Sequence, residues 1–326
     1  MPMVDPFTPS AFTLTALTAA INNLPFQPQR LSGMFEESGI ATLSAAIDVN
    51  DGVLSVVDVA PRGGPGKIVT GDGRRAIPFL IPHLPERANI LADEVQGVRA
   101  FGSDNLAEVL QNRLNERLAQ MRRNIDYTME YHRAQSLMGN YVNANGDATS
   151  LFTAFGVTQQ TQAMGFHATN HSAARGKAFL AIKMVKAALG GIPWTGLTAL
   201  CGDDFWSALL GDLDTNATYM NQVQAAELRG TPTNSFLAYG INWEWYSGTS
   251  AVNFGSDAYL IPQGVPGLCI TRFAPANYIE TVNTIGLPYY SKSEPMDMGK
   301  GYEIEAQSNP LNLVTRPAAI VKLTHA

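Results

Sequence analysis

Gly63, Gly64, Pro65, Gly66 and Lys67 invite comparison with a phosphate-binding loop, in which backbone amides cradle phosphates and a lysine reaches them. The pattern fails at two positions: Pro61 stands where the first glycine is required, and Ile68 where a serine or threonine would hold magnesium. A plain basic loop accounts for the segment better. His167 and His171 are four apart, a spacing that metal sites use on one helix face. No glutamate lies between them and no third ligand follows at a useful spacing, so they read as surface histidines. Asp203 with Asp204, and Asp212 with Asp214, could act as acid and base, yet helix N-terminal acids or exposed loop charge explain each pair better. No serine occupies a Gly-x-Ser-x-Gly elbow, and neither Cys201 nor Cys269 has a histidine near it in sequence. The two cysteines sit among apolar residues and suggest neither a disulfide framework nor a zinc site; buried, reduced thiols are expected. The residues therefore offer no catalytic group, no cofactor and no metal.

Charges with another use remain. Arg62, Lys67, Arg74 and Arg75 give one loop a net excess of three positive charges, counting Asp72, which suits contact with phosphate or with the acidic side chains of a neighbouring protein. Asp126, Glu130 and Arg133 are spaced four and three apart and could form an ion-pair ladder on one helix face. As exposed pairs they would add a few tenths of a kcal/mol each. The sharper reading is that they bind another subunit.

The element that carries this ladder is the most conspicuous one in the chain. From Ser103 to Met138 there is no glycine or proline, although the protein holds 29 Gly and 19 Pro. Leu106, Leu110, Leu114, Leu118, Met121, Ile125 and Met129 recur three or four apart, which predicts a helix about 50 Å long with one apolar stripe. Such a stripe needs a partner along its whole length, and the helix reads as a beam in something extended or assembled.

Before it, Ser10 can cap a short helix carrying Phe12, Leu14, Leu17 and Ile21, for which no core is evident nearby in sequence. Thr42 to Val49 and Val53 to Val59 are β-rich and joined through Asn50, Asp51 and Gly52, a hairpin signal. The segment Arg62 to Arg75 has five glycines and little to pack, so it is either disordered or ordered by a neighbour. Ala76 to Pro82 returns to strand character. Residues 40–85 together predict a protruding two-stranded arm, which alone would be marginal in water.

After the long helix, Leu151 to Val157 and Gln162 to Phe166 read as a second hairpin beyond the turn at Asn143 to Asp147. Ala173 to Leu189 is an amphipathic helix with Phe179, Ile182, Val185 and Leu189 inward, stopped by Gly190. Trp194 to Cys201 predicts a strand, and Asp203 the cap of a short helix. Leu237, Tyr239, Ile241, Trp243 and Trp245 mark alternate positions of another strand. Tyr302, Ile304, Ala306 and Ser308 alternate before an Asn309–Pro310 turn, and a last strand runs through Ile320, Val321 and Leu323. The fold class is α+β.

Composition narrows the role. The charged fraction is 15%, well below the roughly 25% of ordinary soluble domains, which leaves a neutral surface suited to protein contact. The net charge is −6, and no stretch of the chain is basic enough for strong nucleic-acid binding. No membrane span or secretory signal is present, which predicts a protein made and kept in a cytoplasm.

The order of elements and several local motifs resemble the major capsid protein E family of tailed bacteriophages, the family of the phage lambda coat protein. Matching are Leu31 to Phe35; Pro61, Arg62 and Gly63; Ile81, Pro82 and His83; Val98 to Gly102; and Asp126, Thr128, Glu130 and Arg133 within the helix. Near the end come Lys300, Gly301, Glu303, Glu305, Gln307, Ser308, Pro310, Leu311, Arg316 and Pro317. Residues 140–240 match least.

The resemblance implies the Hong Kong 97-type capsid fold: an N-terminal arm at 1–35, an extended β-hairpin loop at 36–98, a peripheral domain at 99–170 and 301–326 built on a spine helix at about 103–138, and an axial domain at 171–300. It further implies a major capsid protein of the virion, assembled in the host cytoplasm, whose hexamers and pentamers close an icosahedral shell around double-stranded DNA, held without sequence specificity. Other implied partners are a separate scaffolding protein, a portal protein and a decoration protein. The inter-subunit contacts expected on this reading are Arg62, Lys67, Arg74, Arg75, Asp126, Glu130 and Arg133. Lys67, the only lysine of the loop, is the one that a lysine–asparagine cross-link of the kind some such shells use would take. Two alternatives differ in kind: an encapsulin-like cellular shell around an enzyme cargo, and a phosphate-binding enzyme using Gly63 to Gly73.

Overall fold

In the computed structural model, which describes residues 13–24, 30–50, 74–95, 106–166, 173–212, 234–248 and 252–325, the long stretch without breakers forms one helix from Leu106 to Leu137. Its apolar stripe is buried: Leu114, Leu118, Met121, Ile125 and Met129 are each at most 2% exposed. Among the described residues, sixteen strands and five further α-helices surround it. The chain runs through α1 (Leu14–Asn23), β1 (Glu36–Gly39), β2 (Ser44–Asn50), β3 (Arg74–Leu80), β4 (Leu84–Leu91), α2 (Ala92–Val95) and the long helix α3. There follow β5 (Asn140–Val142), β6 (Ala148–Ser150), α4 (Leu151–Phe155), β7 (Gln160–Ala163), α5 (Ala173–Leu189), β8 (Gly196–Cys201), α6 (Asp203–Gly211), β9 (Ser235–Ala238) and β10 (Ile241–Trp245). The chain continues through β11 (Asp257–Gln263), β12 (Cys269–Phe273), β13 (Tyr290–Pro295), β14 (Gly301–Ser308), β15 (Pro310–Val314) and β16 (Val321–Thr324).

Two cores result. The larger lies on a six-stranded mixed sheet of order β7-β16-β11-β8-β10-β9, against which α5 and α6 bury Ala178, Ala181, Val185, Phe205 and Leu209. The smaller joins the stripe of α3 to Leu17 and Ile21 of α1, Ile90 of β4, Phe273, Tyr289, and Ile304 and Ala306 of β14. Because β4, β14 and β13 form one antiparallel sheet, residues 84–91, 290–295 and 301–308 meet in space although far apart in sequence. The C-terminal end of α3, through Ala134 and Leu137, enters the larger core. One helix about 48 Å long therefore spans both cores.

The short N-terminal helix finds its core here, since Leu17 and Ile21 are fully buried against α3. Its cap is Thr13, whose hydroxyl accepts from the Ala16 N–H at 3.3 Å; the expected cap, Ser10, lies outside the described residues. The arm is present as β2 paired antiparallel with β3, from Ser44 opposite Leu80 to Asn50 opposite Arg74. The partner of β2 is thus 74–80, not 53–59 across the Asn50–Gly52 turn, and residues 51–73 lie outside the described part. Phe79 anchors the base of the arm, fully buried and edge-on to Tyr141 at 5.0 Å between ring centroids.

Three other expectations are corrected. Leu151 to Phe155 is a helix, not a strand: the Ser150 hydroxyl accepts from the Thr153 N–H at 3.4 Å, and Gly156 closes it at φ 69°. The alternation from Leu237 to Trp245 runs through a hairpin, because Tyr239 and Gly240 have φ of 57° and 80°, the backbone of a two-residue primed turn. On α5, whose bounds agree with expectation, Phe179 points outward at 67% exposure, and Ala174, Ala178 and Ala181 form the inward face with Val185 and Leu189. Cys201 and Cys269 are free and buried, as expected.

Candidate functional site

The sequence places Asp126, Glu130 and Arg133 on one face of α3, and the structure buries that face. Their exposures are 2%, 5% and 1%. The exposed ladder is therefore replaced by a buried polar row. Arg122, one helical turn earlier, belongs to the row as well at 6% exposure. Spacings of four, four and three set Arg122, Asp126, Glu130 and Arg133 beside the apolar stripe, in line along α3.

Each member of the row has a defined partner. Arg122 Nη1 donates to the carbonyls of Ile21, Asn22 and Leu24 at 2.6, 3.3 and 2.7 Å. These are C-terminal carbonyls of α1, the negative end of its dipole, where a cation is favoured. The same guanidinium lies 4.6 Å from the centroid of the Tyr289 ring and 3.8 Å, through Nε, from Asp126 Oδ2. Asp126 in turn accepts a hydrogen bond from the Tyr289 hydroxyl. Glu130 Oε1 accepts from the Leu31 N–H at 3.2 Å and from the Tyr246 hydroxyl at 3.1 Å. Arg133 Nη2 donates to Glu37 Oε1 at 2.7 Å, above the Phe35 ring.

The row thus grips the N-terminal segment at three levels: the end of α1, residue 31, and β1. Two further fastenings come from outside α3. Arg30 forms a two-pronged ion pair with Glu244 of β10, its Nη2 arm at 2.7 Å. β1 lies parallel to β12 from Glu36 opposite Ile270 to Gly39 opposite Phe273.

Burial sets the electrostatics. It pushes the carboxyl pKa of Asp126 up, against the pull of the Tyr289 hydroxyl and Arg122. Glu130 is raised in the same way, against the Leu31 N–H and the Tyr246 hydroxyl. The phenols of Tyr246 and Tyr289 are raised by burial and by the adjacent carboxylates. Those hydroxyls remain donors, and the row has neither a nucleophile nor an open face for a substrate. It is a clasp.

Other candidate residues fall as follows. Arg74 and Arg75 lie in β3; Arg62 and Lys67, like the Gly63–Gly73 loop, lie outside the described residues, as do His167, His171 and Asp214. Asp203 opens α6 behind Gly202, the actual cap position, and accepts from the Trp245 indole N–H at 2.7 Å and from Asn253, which hold its carboxyl below the usual range. Among the described residues no group of three or more His, Cys, Asp or Glu could hold a metal ion, and no helix is long and apolar enough to cross a membrane. Sequence reasoning missed Arg122, Tyr246 and Tyr289. The available signal was that Arg122, like the other three, is a charge set directly beside a buried apolar stripe.

The family model described as phage major capsid protein E matches residues 13–325, from the cap of α1 to beyond β16. The chain belongs to the phage major capsid protein E family. This capsid protein is 25% identical over 287 residues to the major capsid protein of Pseudomonas phage KPP10, covering 80% of this chain and 81% of that one. It is 28% identical over 156 residues to the major capsid protein of Salmonella phage Felix O1, covering 47% of this chain and 42% of that protein. A crystal structure assigned to the capsid protein of an Escherichia coli CFT073 prophage is similar with a TM-score of 0.58 at 12% identity, covering 96% and 99% of the two chains. The capsid of an empty GTA particle has a TM-score of 0.51 at 11% identity, covering 99% of each. The capsid protein has the Hong Kong 97-type fold, and its role is that of a shell-forming structural protein of the virion.

Proposed function

We propose that this chain closes an icosahedral shell as hexamers and pentamers around double-stranded DNA, and that it has no enzymatic activity. The observation that carries the reading is the match of the capsid family model across the whole described fold. Its partners on this reading are its own copies, a scaffolding protein during assembly in the host cytoplasm, a portal protein and a decoration protein.

Residues 1–35 would serve as arm, 36–98 as extended loop, 99–170 and 301–326 as peripheral domain, and 171–300 as axial domain, with 84–91 and 290–295 lending strands to the peripheral sheet. Contacts between subunits would be made by Arg62, Lys67, Arg74 and Arg75. Asp126, Glu130 and Arg133 would support them from within, by fixing the arm on the spine helix. In support, among the described residues β2 and β3 form a sheet of two strands, and Leu43 and Leu80 beside its base are 71% and 63% exposed. A two-stranded ribbon with exposed apolar residues gains from lying on another surface.

Deleting Arg62 to Arg75 should leave a folded, soluble subunit that forms no closed shells in sedimentation velocity. Normal shells from that deletion would remove the loop from the assembly. Lys67→Ala should weaken subunit contacts and leave no turnover to lose.

A further inference from the structure

A groove of about 650 Å³ runs between α1 and residues 281–290. α1 turns Leu17 and Ile21 into the core and presents Leu14, Thr18 and Ala19 to the groove. The opposite wall is formed by Ile285, Leu287 and Tyr290. Ile285 is 70% exposed and Leu287 45%, and the patch continues past the groove through Val282 at 65% and Ile279 at 90%.

This wall is built on fixed backbone. The Tyr290 hydroxyl accepts from the Leu287 N–H at 2.8 Å, Thr281 Oγ1 donates to the Ala276 carbonyl at 2.7 Å, and Thr284 Oγ1 to the Thr281 carbonyl at 2.8 Å. Gly286 donates to the Ile40 carbonyl at 2.9 Å. Close backbone approach requires glycine at both positions: a Cβ on Gly39 would meet the Gly286 oxygen at 2.1 Å, and one on Gly286 would meet the Phe273 oxygen at 2.1 Å. Four large aliphatic side chains held outward on such a scaffold form a patch of the kind that marks a contact surface.

We propose that residues 1–12 of the same chain fold back from Thr13 and fill this groove, with Phe7 and Phe12 as its apolar anchors. The attachment point is right, because Leu14, one residue beyond Thr13, lines the groove. The composition is right as well: Met1, Met3, Val4, Phe7 and Phe12 are apolar, and Asp5 is the only charge. Pro2, Pro6 and Pro9 oppose backward extension of α1 and favour extended backbone. Five extended residues span roughly the 15 Å length of α1, so twelve suffice to turn and run its length. A groove of this volume lies within the range that holds a compact apolar ligand. The short tether gives the chain's own segment an effective concentration in the millimolar range, ahead of a second copy in dilute solution.

The inference concerns the single subunit and stands or falls apart from shell assembly. Its test is a cysteine pair, Phe7→Cys with Thr284→Cys, in the full-length protein under mild oxidation; the native thiols are buried. An intrachain disulfide, seen as a faster-migrating monomer on a non-reducing gel, is expected. Cross-linked dimers would show that a second copy fills the groove, and no cross-link would show that the segment lies elsewhere; either overturns the proposal. In the otherwise native chain, Ile285→Asp should speed chymotrypsin cleavage after Phe7 at least tenfold, while Ile279→Asp, outside the groove, should not. Equal rates for both variants would also overturn it.

Discussion

His132 is 6% exposed in the C-terminal part of α3, and burial pushes its pKa down to about 4. Its folded value lies below the ordinary value of about 6.5, so the unfolded chain binds the proton more tightly and stability is lost as pH falls from about 6.5 towards 4. The shift corresponds to about 3 kcal/mol. Asp126 and Glu130 act in the opposite sense: their raised values mean that protonation favours the folded state as pH falls towards about 4. The His132→Gln variant keeps both carboxylates, so comparison with it isolates the imidazole. Urea unfolding at pH 7 and pH 4 should show the parent protein losing about 3 kcal/mol more than the variant; equal losses would remove His132 as the source. At this scale the sequence showed which residues share a helix face, since periodicity fixes angle about the axis. It did not show that the face is buried, because that depends on α1 and Tyr289, far away in sequence.

α1 is held by a short list of contacts, which makes its docking a property of the element. Its two buried side chains, Leu17 and Ile21, pack on α3, and Arg122 satisfies the carbonyls at its C-terminal end. Asn22 adds a bond to the Tyr289 carbonyl at 3.0 Å, and Thr18 meets the Ser291 backbone. Arg122→Met keeps the side-chain bulk while leaving those carbonyls and Asp126 without their cation. Removing one partner from such a buried set costs about 3–5 kcal/mol. Hydrogen exchange in residues 14–23 should rise sharply in this variant, while α5, packed in the other core, keeps its protection. Unchanged exchange in α1 would show that Arg122 does not hold it. The elements most legible in sequence were those with one buried face, α3 and α5. β11 was passed over because burial through most of its length erases alternation. β9 and β10 merged into one strand because the alternation continued in phase through a two-residue turn.

At the scale of the whole molecule, α3 ties two cores together and fastens the N-terminal segment along its length, so the subunit behaves as a beam with attachments. The low charge and the two-stranded ribbon were legible in the sequence, and with the capsid motifs they indicated a shell protein. The sheet uniting β4, β13 and β14 was not legible, since pairing between strands some 200 residues apart leaves no local trace. The central claim is that copies of this chain close into a shell. The most direct measurement is electron microscopy, with sedimentation velocity on the same sample, of the protein expressed alone and with a scaffolding partner. Closed icosahedral shells, or rings of five and six subunits, are predicted in at least one of the two preparations. A uniform 35.1 kDa monomer in both would contradict the account.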